Sequence, residues 1–517
     1  MTTTSAASGT ALPLATAHPA HAAHAAHAAP PAHSAPAAPR ALAEQLPTWL
    51  LATLGALATL LTGPRWGIAA LAWLAPVPYL LYARRARGWR PWLALLGVMA
   101  VVFPLQLLPI VTAPLPFVLI FPFGLPAALG AFLVVLASEQ LRRRTGDVVG
   151  LFGFAALVAL LDWVGLRWTE LGAWSTTANS QVGSPAVIQL AALTGLAGIG
   201  LLMAWFAGVI TMLIASPRPR RHWPHLLAVS AVLLAALAFG SARLDRQHGG
   251  RTVTVAAVVT DLGLGPEGIP GPAALAANTD TLFARSRLAA TRGARLVVWN
   301  EAATLVEPAD EAALIARGQL EARTLGVDLV LAYGTVESRA PLLLDNKYVF
   351  ITSEGAIAET YRKHHPVPGE PSMRGTAPIR IIERPYARLA GAICYDYDFP
   401  ALAREQGRLG ADLVFVPSSD WRGIDPVHTL MARVRAVENG FSVLRSTRWA
   451  PSAAFDGYGR IRGWMPVTEH NDRVMVATVP VGRVNTLYSA VGDTPVVAAS
   501  TAWLVFAVAL ALRKRRA

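Results

Sequence analysis

Cysteine is almost missing from this chain: there is one, Cys394, in 517 residues. A single thiol excludes an internal disulfide and any metal site built from several cysteines, and it leaves the redox compartment open. Charge is scarce too, at 15% of residues against an apolar content of 54% and a mean hydropathy of +0.42. That is oily for a soluble protein. The opening stretch, which includes AHPAHAAHAAHAAPPAHSAPAAPR, lacks the charged start and apolar centre of a cleaved signal peptide. Its histidines His18, His21, His24, His27 and His33 offer a loose metal site at best; residues 1–44 read foremost as a disordered low-complexity tail. No internal repeat of fixed period is evident.

What is abundant is long apolar runs. Seven lie at about 46–63, 66–83, 91–110, 115–137, 148–165, 185–215 and 225–242, and an eighth near 494–512. Crossing about 30 Å of hydrocarbon takes roughly 17–25 helical residues, so most of these can span, and the longest has room to tilt or to begin with an interfacial turn. The net charge of +13 is concentrated beside them, which favours a role in membrane orientation over nucleic-acid binding. Basic clusters follow the second run (Arg84, Arg85, Arg87, Arg90), the fourth (Arg142, Arg143, Arg144), the sixth (Arg218, Arg220, Arg221) and the eighth (Arg513, Lys514, Arg515, Arg516). Loops on the other side carry little beyond Arg65 and Arg167. The positive-inside rule puts every cluster in the cytoplasm, so both termini are inside and residues 244–490 lie on the outer face. The expected layout is a tail over 1–44, seven spans over 45–243, an outer domain over 244–490, and an eighth span with a basic end over 491–517.

The outer segment has a different texture. Strand-like runs recur at 253–259, 294–301, 327–337, 346–355, 390–396, 412–420, 441–448 and 473–481, with helical stretches between several of them. Alternation of strands and helices argues α/β, and mid-domain hairpins argue a mixed sheet.

Three residues stand at or near the ends of such runs, where α/β folds tend to place their sites: Glu301 after LVVWN, Lys363 in ETYRKHHPVPGEP, and Cys394 in AGAICYDYDFP. Singly each is weak, because a lone cysteine after a strand is more often core than nucleophile and a Glu or Lys beside a turn is usually solvated. Together they make a complete acyl-transfer set. A thiol needs a base to take its proton, a carboxylate lifted by burial serves, and an ammonium favours the thiolate and then the oxyanion. His364, His365 and His428 remain possible helpers.

Glu, Lys and Cys in this order, within WNEAA, YRKHH and ICYDYDFP, resemble the nitrilase superfamily, as do the later SSDW, HTLMARVRAVENG and FSVLRS. With seven preceding spans and one following, the chain resembles the apolipoprotein N-acyltransferase family over roughly 45–512. The resemblance implies a bundle of eight transmembrane helices carrying an αββα sandwich in the bacterial inner membrane. It implies Cys394 as nucleophile, Glu301 as general base and Lys363 as oxyanion stabiliser, with Glu370 as accessory carboxylate, the Tyr395 N–H as a further donor and Asp396 as an acceptor. The implied partners are a phospholipid acyl donor, a diacylated lipoprotein acceptor and the membrane; no cofactor, metal or nucleic acid is implied. A membrane-tethered amidase or other acyltransferase of the nitrilase kind is the alternative. Arg167, Glu170, Trp174 and Gln189, beside the spans, suit either a lipid-entry face or interfacial anchoring.

The chain departs from the family pattern in several places. Asn300 stands where the family has proline before the base, and Asp396 where it commonly has glutamate. The 31-residue interval from Lys363 to Cys394 is short, and Arg448 and Trp449 are bulky where the family tends to be small.

Overall fold

The computed structural model describes residues 45–260, 262–263, 268–466 and 472–516. The tail expected over 1–44, with its histidines, lies outside the described residues. Among the described residues, five helices are long and apolar enough to cross a membrane: Phe117–Thr145, Asp147–Trp168, Ala191–Ala215, Pro219–Asp245 and Thr494–Lys514. The first three expected runs form shorter helices. Thr48–Leu61 has 14 residues, and Arg90–Leu105 has 16 and runs out at Pro104. The run at 66–83 is broken into Ala69–Ala72 and Val77–Arg85, with Pro76 and Pro78 at the restart. Proline has no N–H to donate and its ring collides with the carbonyl four residues back, so hydropathy continues through this point while the helix does not.

The 185–215 run opens with the short turn Pro185–Ile188 and bends at Gly195, whose φ is +65°. Glycine is needed there on two counts: L side chains rarely adopt that backbone, and a Cβ would strike Tyr488 and Asp493. At the basic end of the bundle, buried Glu139 accepts Arg142 Nε at 2.7 Å and Arg143 Nε at 2.6 Å. Asp147 accepts Arg84 and Arg142 at 3.1 Å each. The arginines therefore also tie three helix ends together.

The α/β domain has two mixed sheets. One runs β13(Val474–Pro480)–β1(Thr252–Val258)–β2(Leu296–Trp299)–β4(Asp328–Arg339)–β5(Leu342–Ile351)–β6(Ile357–Arg362), with β3(Leu305–Val306) beside β4. The other runs β12(Ile461–Met465)–β11(Ser452–Phe455)–β10(Ser442–Arg448)–β9(Leu413–Ser419)–β8(Ala387–Gly391)–β7(Ile382–Arg384). The middle of each sheet is parallel, β1–β2–β4 and β8–β9–β10, and the flanks are antiparallel. Parallel strands are covered on both faces, which explains why LVVW of β2 is wholly apolar and wholly buried. Between the sheets, Val297, Leu329, Tyr348, Leu389, Phe415 and Leu444 share one core, which Phe283 and Leu314 from the helices Pro272–Thr291 and Glu311–Leu325 join. A second core packs Val414, Val443 and Phe455 against Leu402 and Ala436 of the helices Pro400–Leu409 and Val427–Asn439.

The α/β domain is also fused to the helical part by a common core. Ile110, Ile188, Leu196 and Met203 from the helical side pack with Ile424, Met431 and Val434. Trp421 Nε1 donates to Ile110 O at 2.6 Å, and Gln189 Nε2 to Tyr458 O at 2.9 Å.

Gly391, on β8 three residues before the thiol, faces Tyr348 and Phe415 so closely that a Cβ would enter both side chains. Gly391→Ala should therefore lower stability by about 1–3 kcal/mol through overpacking, read as a lower unfolding midpoint in detergent micelles.

Candidate active site

The site forms where the parallel strands of both sheets end. Glu301 lies two residues past the end of β2, and its segment is braced by the intervening Asn300, whose side-chain oxygen accepts the Thr260 N–H at 2.8 Å while its NH2 donates to Glu301 O at 2.9 Å. The Glu301 amide crosses to the second sheet and donates to Ser418 O at 3.3 Å. Lys363 directly follows β6, and its amide extends the β5–β6 ladder by donating to Asn346 O at 2.9 Å. The residue is 1% exposed.

That buried ammonium is held between two carboxylates. Lys363 Nζ donates to Glu301 Oε1 at 2.8 Å and to Glu370 Oε2 at 2.7 Å. Asn346 donates to the same pair, at 2.7 Å to Glu301 and 3.1 Å to Glu370. Glu370 Oε2 also accepts the Val367 N–H at 2.9 Å, which fixes the PGE turn. Burial by itself lowers the Lys363 pKa, but the charges of Glu301 and Glu370 outweigh it and hold the lysine well above its usual value.

Cys394 opens a 3-10 turn, Cys394–Asp398, with φ +46°, a left-handed backbone that side chains rarely adopt. Strain of this kind is characteristic of active sites. Its Sγ lies 3.9 Å from Ser419 O and 3.8 Å from Asp420 Oδ1. Burial pushes the thiol pKa well up; Glu301 and Asp420 add to that, and Lys363 and Arg445 oppose it. Burial therefore favours the neutral thiol over the thiolate, and a thiol becomes a good nucleophile only after losing its proton to a base. The Tyr395 N–H lies in the first turn after Cys394, where a helix makes no use of its own amides. The Tyr395 hydroxyl donates to Glu170 O at 2.7 Å, reaching into the loop after a membrane helix.

Asp396 is fully buried and does a different job from the carboxylates around Lys363. Its Oδ1 accepts the backbone N–H groups of His364 and His365 at 3.1 and 2.7 Å, and its Oδ2 accepts the Ile393 amide at 3.0 Å and the Tyr361 hydroxyl at 2.8 Å. It clamps the segment after the lysine onto the turn of the thiol. His365 stacks on Phe399 with centroids 3.9 Å apart, inside the same clamp.

A second charged cluster, beyond the residues singled out in the sequence apart from His428, backs the thiol. His428 Nδ1 faces Asp420 Oδ1 at 2.7 Å, and its Nε2 faces Asp398 Oδ2 at 3.0 Å. Arg445 reaches both Asp420 oxygens at 2.9 and 3.1 Å and donates to Thr429 Oγ1 at 2.8 Å. Burial and Arg445 disfavour the imidazolium, but the flanking aspartates raise the His428 pKa to about 9. Asp420 is lowered to about 2, because Arg445 and His428 overcome its own burial. Cys394, Asp420 and His428 bring one donor atom each within 4.8 Å, a metal-like grouping. However, both imidazole nitrogens face carboxylates and Arg445 already supplies a cation, so this cluster suits a proton rather than a metal ion. Trp174 Nε1 donates to Asp398 Oδ2 at 2.9 Å, and Gly172, at φ +51°, sits flush against the Asp398 backbone.

Sequence comparison agrees with this division of the chain. Residues 54–209 match the apolipoprotein N-acyltransferase N-terminal domain, and residues 257–488 match the carbon-nitrogen hydrolase family. The apolipoprotein N-acyltransferase of Geobacter metallireducens is 26% identical over 86% of this chain and 92% of its own length. That of Azotobacter vinelandii is 30% identical over 74% of this chain and 79% of its own. Among solved structures, a carbon-nitrogen hydrolase from Helicobacter pylori aligns over 44% of this chain and 89% of its own, at 16% identity and a TM-score of 0.37. This membrane protein, with its nitrilase-like α/β domain, belongs to the apolipoprotein N-acyltransferase family.

Proposed function

We propose that the chain moves an acyl group from a glycerophospholipid to the α-amino group of a diacylglyceryl-cysteine lipoprotein, through a thioester on Cys394. The observation that carries this reading is the buried Lys363 ammonium paired with Glu301 and Glu370 beside a buried thiol. In this scheme Glu301 takes the Sγ proton and the sulfur attacks the ester carbonyl. Lys363 and the Tyr395 N–H hold the oxyanion, and on collapse Glu301 returns the proton to the departing glycerol oxygen. In the second half the lipoprotein amine attacks the thioester, its proton passes to Glu301 and then to the leaving sulfur, and an amide is formed. Glu370 and Asn346 keep Lys363 in place throughout. The cluster of Asp398, His428, Asp420 and Arg445 positions the strained turn of Cys394.

The membrane layout belongs to the same reading. The five long helices, the two shorter ones and the run broken at Pro76 make eight spans, with both termini in the cytoplasm. The α/β domain, with its helix–sheet–sheet–helix layers, is then outside. Both substrates are anchored in lipid, and the contacts of Glu170 and Trp174 with the thiol's turn keep the site beside the helices. The short interval between Lys363 and Cys394 favours a second reading, an amidase-like enzyme that delivers the acyl group to water.

The decisive experiment is incubation of the purified protein with phospholipid and a diacylated lipopeptide, followed by mass spectrometry. A thioester on Cys394 that passes to the peptide amine is the expected result, and one that only hydrolyses favours the second reading. Cys394→Ser should cut transfer about a thousandfold or more while folding is retained. Glu301→Gln and Lys363→Ala should each slow thioester formation about a hundredfold or more. A pH effect follows from His428. With its pKa raised from 6.5 to about 9, its stabilising contribution is complete below pH 6.5 and disappears as pH rises through 9. The unfolding midpoint should fall across that window, and His428→Gln should flatten the fall.

A further inference from the structure

Arg448 closes β10 beside the thiol, is 4% exposed, and has no carboxylate within ion-pair distance among the described residues. Its bonds go to neutral oxygens: Nε and Nη2 to Ser419 Oγ at 3.1 and 2.7 Å, and Nη1 to Leu262 O at 2.7 Å. N–H donors on both Nη atoms are left over from this set. Arg445, three residues earlier on the same strand, is by contrast matched by Asp420. A buried guanidinium with neutral partners is costly to keep, and burial lowers the Arg448 pKa to about 10 even with Glu301 near enough to oppose it. The guanidinium lies over the Trp449 ring, 4.5 Å from its centroid, and Trp449 itself has φ +61°. The arginine is thus packed against a strained neighbour at the end of a strand.

Its position relative to the reacting atom is set by one residue. Ser419 presents its carbonyl oxygen to Cys394 Sγ at 3.9 Å and its hydroxyl to Arg448. We propose that Arg448 forms, next to Cys394, a subsite for the phosphodiester of the acyl donor. This rests on the phospholipid-donor reading above. The glycerol of a phospholipid carries its phosphate a few bonds from each ester, so a carbonyl at Cys394 brings the phosphate to a neighbouring residue. The planar fork of arginine suits two phosphate oxygens at once. The diacylglyceryl-cysteine acceptor has no phosphate on its glycerol. A cation here therefore distinguishes donor from acceptor, which a two-step enzyme using one nucleophile for both must do.

The test compares two donors on the full-length protein in detergent micelles, with acylation of Cys394 followed by mass spectrometry. One donor is phosphatidylethanolamine, and the other is a neutral p-nitrophenyl ester of the same acyl chain. Arg448→Gln should lower the ratio of acylation rates, phospholipid over neutral ester, by about tenfold or more, and Arg448→Lys should recover part of it by restoring the charge without the fork. An unchanged ratio overturns the subsite, including the case where both rates fall together because the variant is poorly folded. A wild-type protein that reacts with the neutral ester but never with phospholipid overturns the donor reading itself, and the subsite with it.

Discussion

An ammonium group taken out of water must be met by charge, and most of the candidate site's geometry follows from meeting the one on Lys363. Glu301 and Glu370 approach it from different segments, one after β2 and one in the turn beyond β6, and Asn346 on β5 bridges them. Three stretches of chain distant in sequence are thereby fixed to within hydrogen-bond tolerance. The sulfur is then added from the other sheet, on a turn clamped to the lysine segment by Asp396. Moving any of these would leave a buried charge exposed to an apolar core, at a cost of several kcal/mol. The geometry is stiff because the alternatives are electrostatically expensive.

The second cluster resolves a related problem. Two aspartates, a protonated histidine and an arginine lie behind the thiol, and their charges cancel. A balanced group can sit in the interior without drawing the Cys394 proton strongly either way. One of its members, Asp398, is tied by Trp174 to the helical part, so the turn of the thiol is stabilised from both halves of the protein.

Much of this is legible in the sequence. The order Glu301, Lys363, Cys394, with Glu370 in a turn close to the lysine, could be read because each sits at a strand-like end with distinctive chemistry. The eight strand-like runs fall on the apolar strands, although the one at 390–396 catches only the last two residues of β8 before the chain turns at Cys394. The strands with no such signal, β3, β6, β7, β11 and β12, are short or sit at sheet edges, where alternation is weak and pairing depends on neighbours. Asn346 carried no local mark at all, since its importance comes from two carboxylates 45 and 24 residues away. Asp420 and Arg445 were visible only as parts of longer motifs, for the same reason. The break at Pro76 was written plainly, but hydropathy counts apolar character and is blind to a missing N–H.

The shared core of Ile110, Ile188, Met203, Ile424, Met431 and Val434 has a consequence for the proposed transfer. A flexible tether would let the α/β domain search above the lipid; side chains interdigitated across the boundary do not. The thiol is therefore kept at one fixed elevation over the helices, as the tip of a depth gauge is fixed to its frame. On the proposed phospholipid-donor reading, only carbonyls that rise to that level are offered for reaction, so selection would begin with how far a lipid's ester stands out of the bilayer.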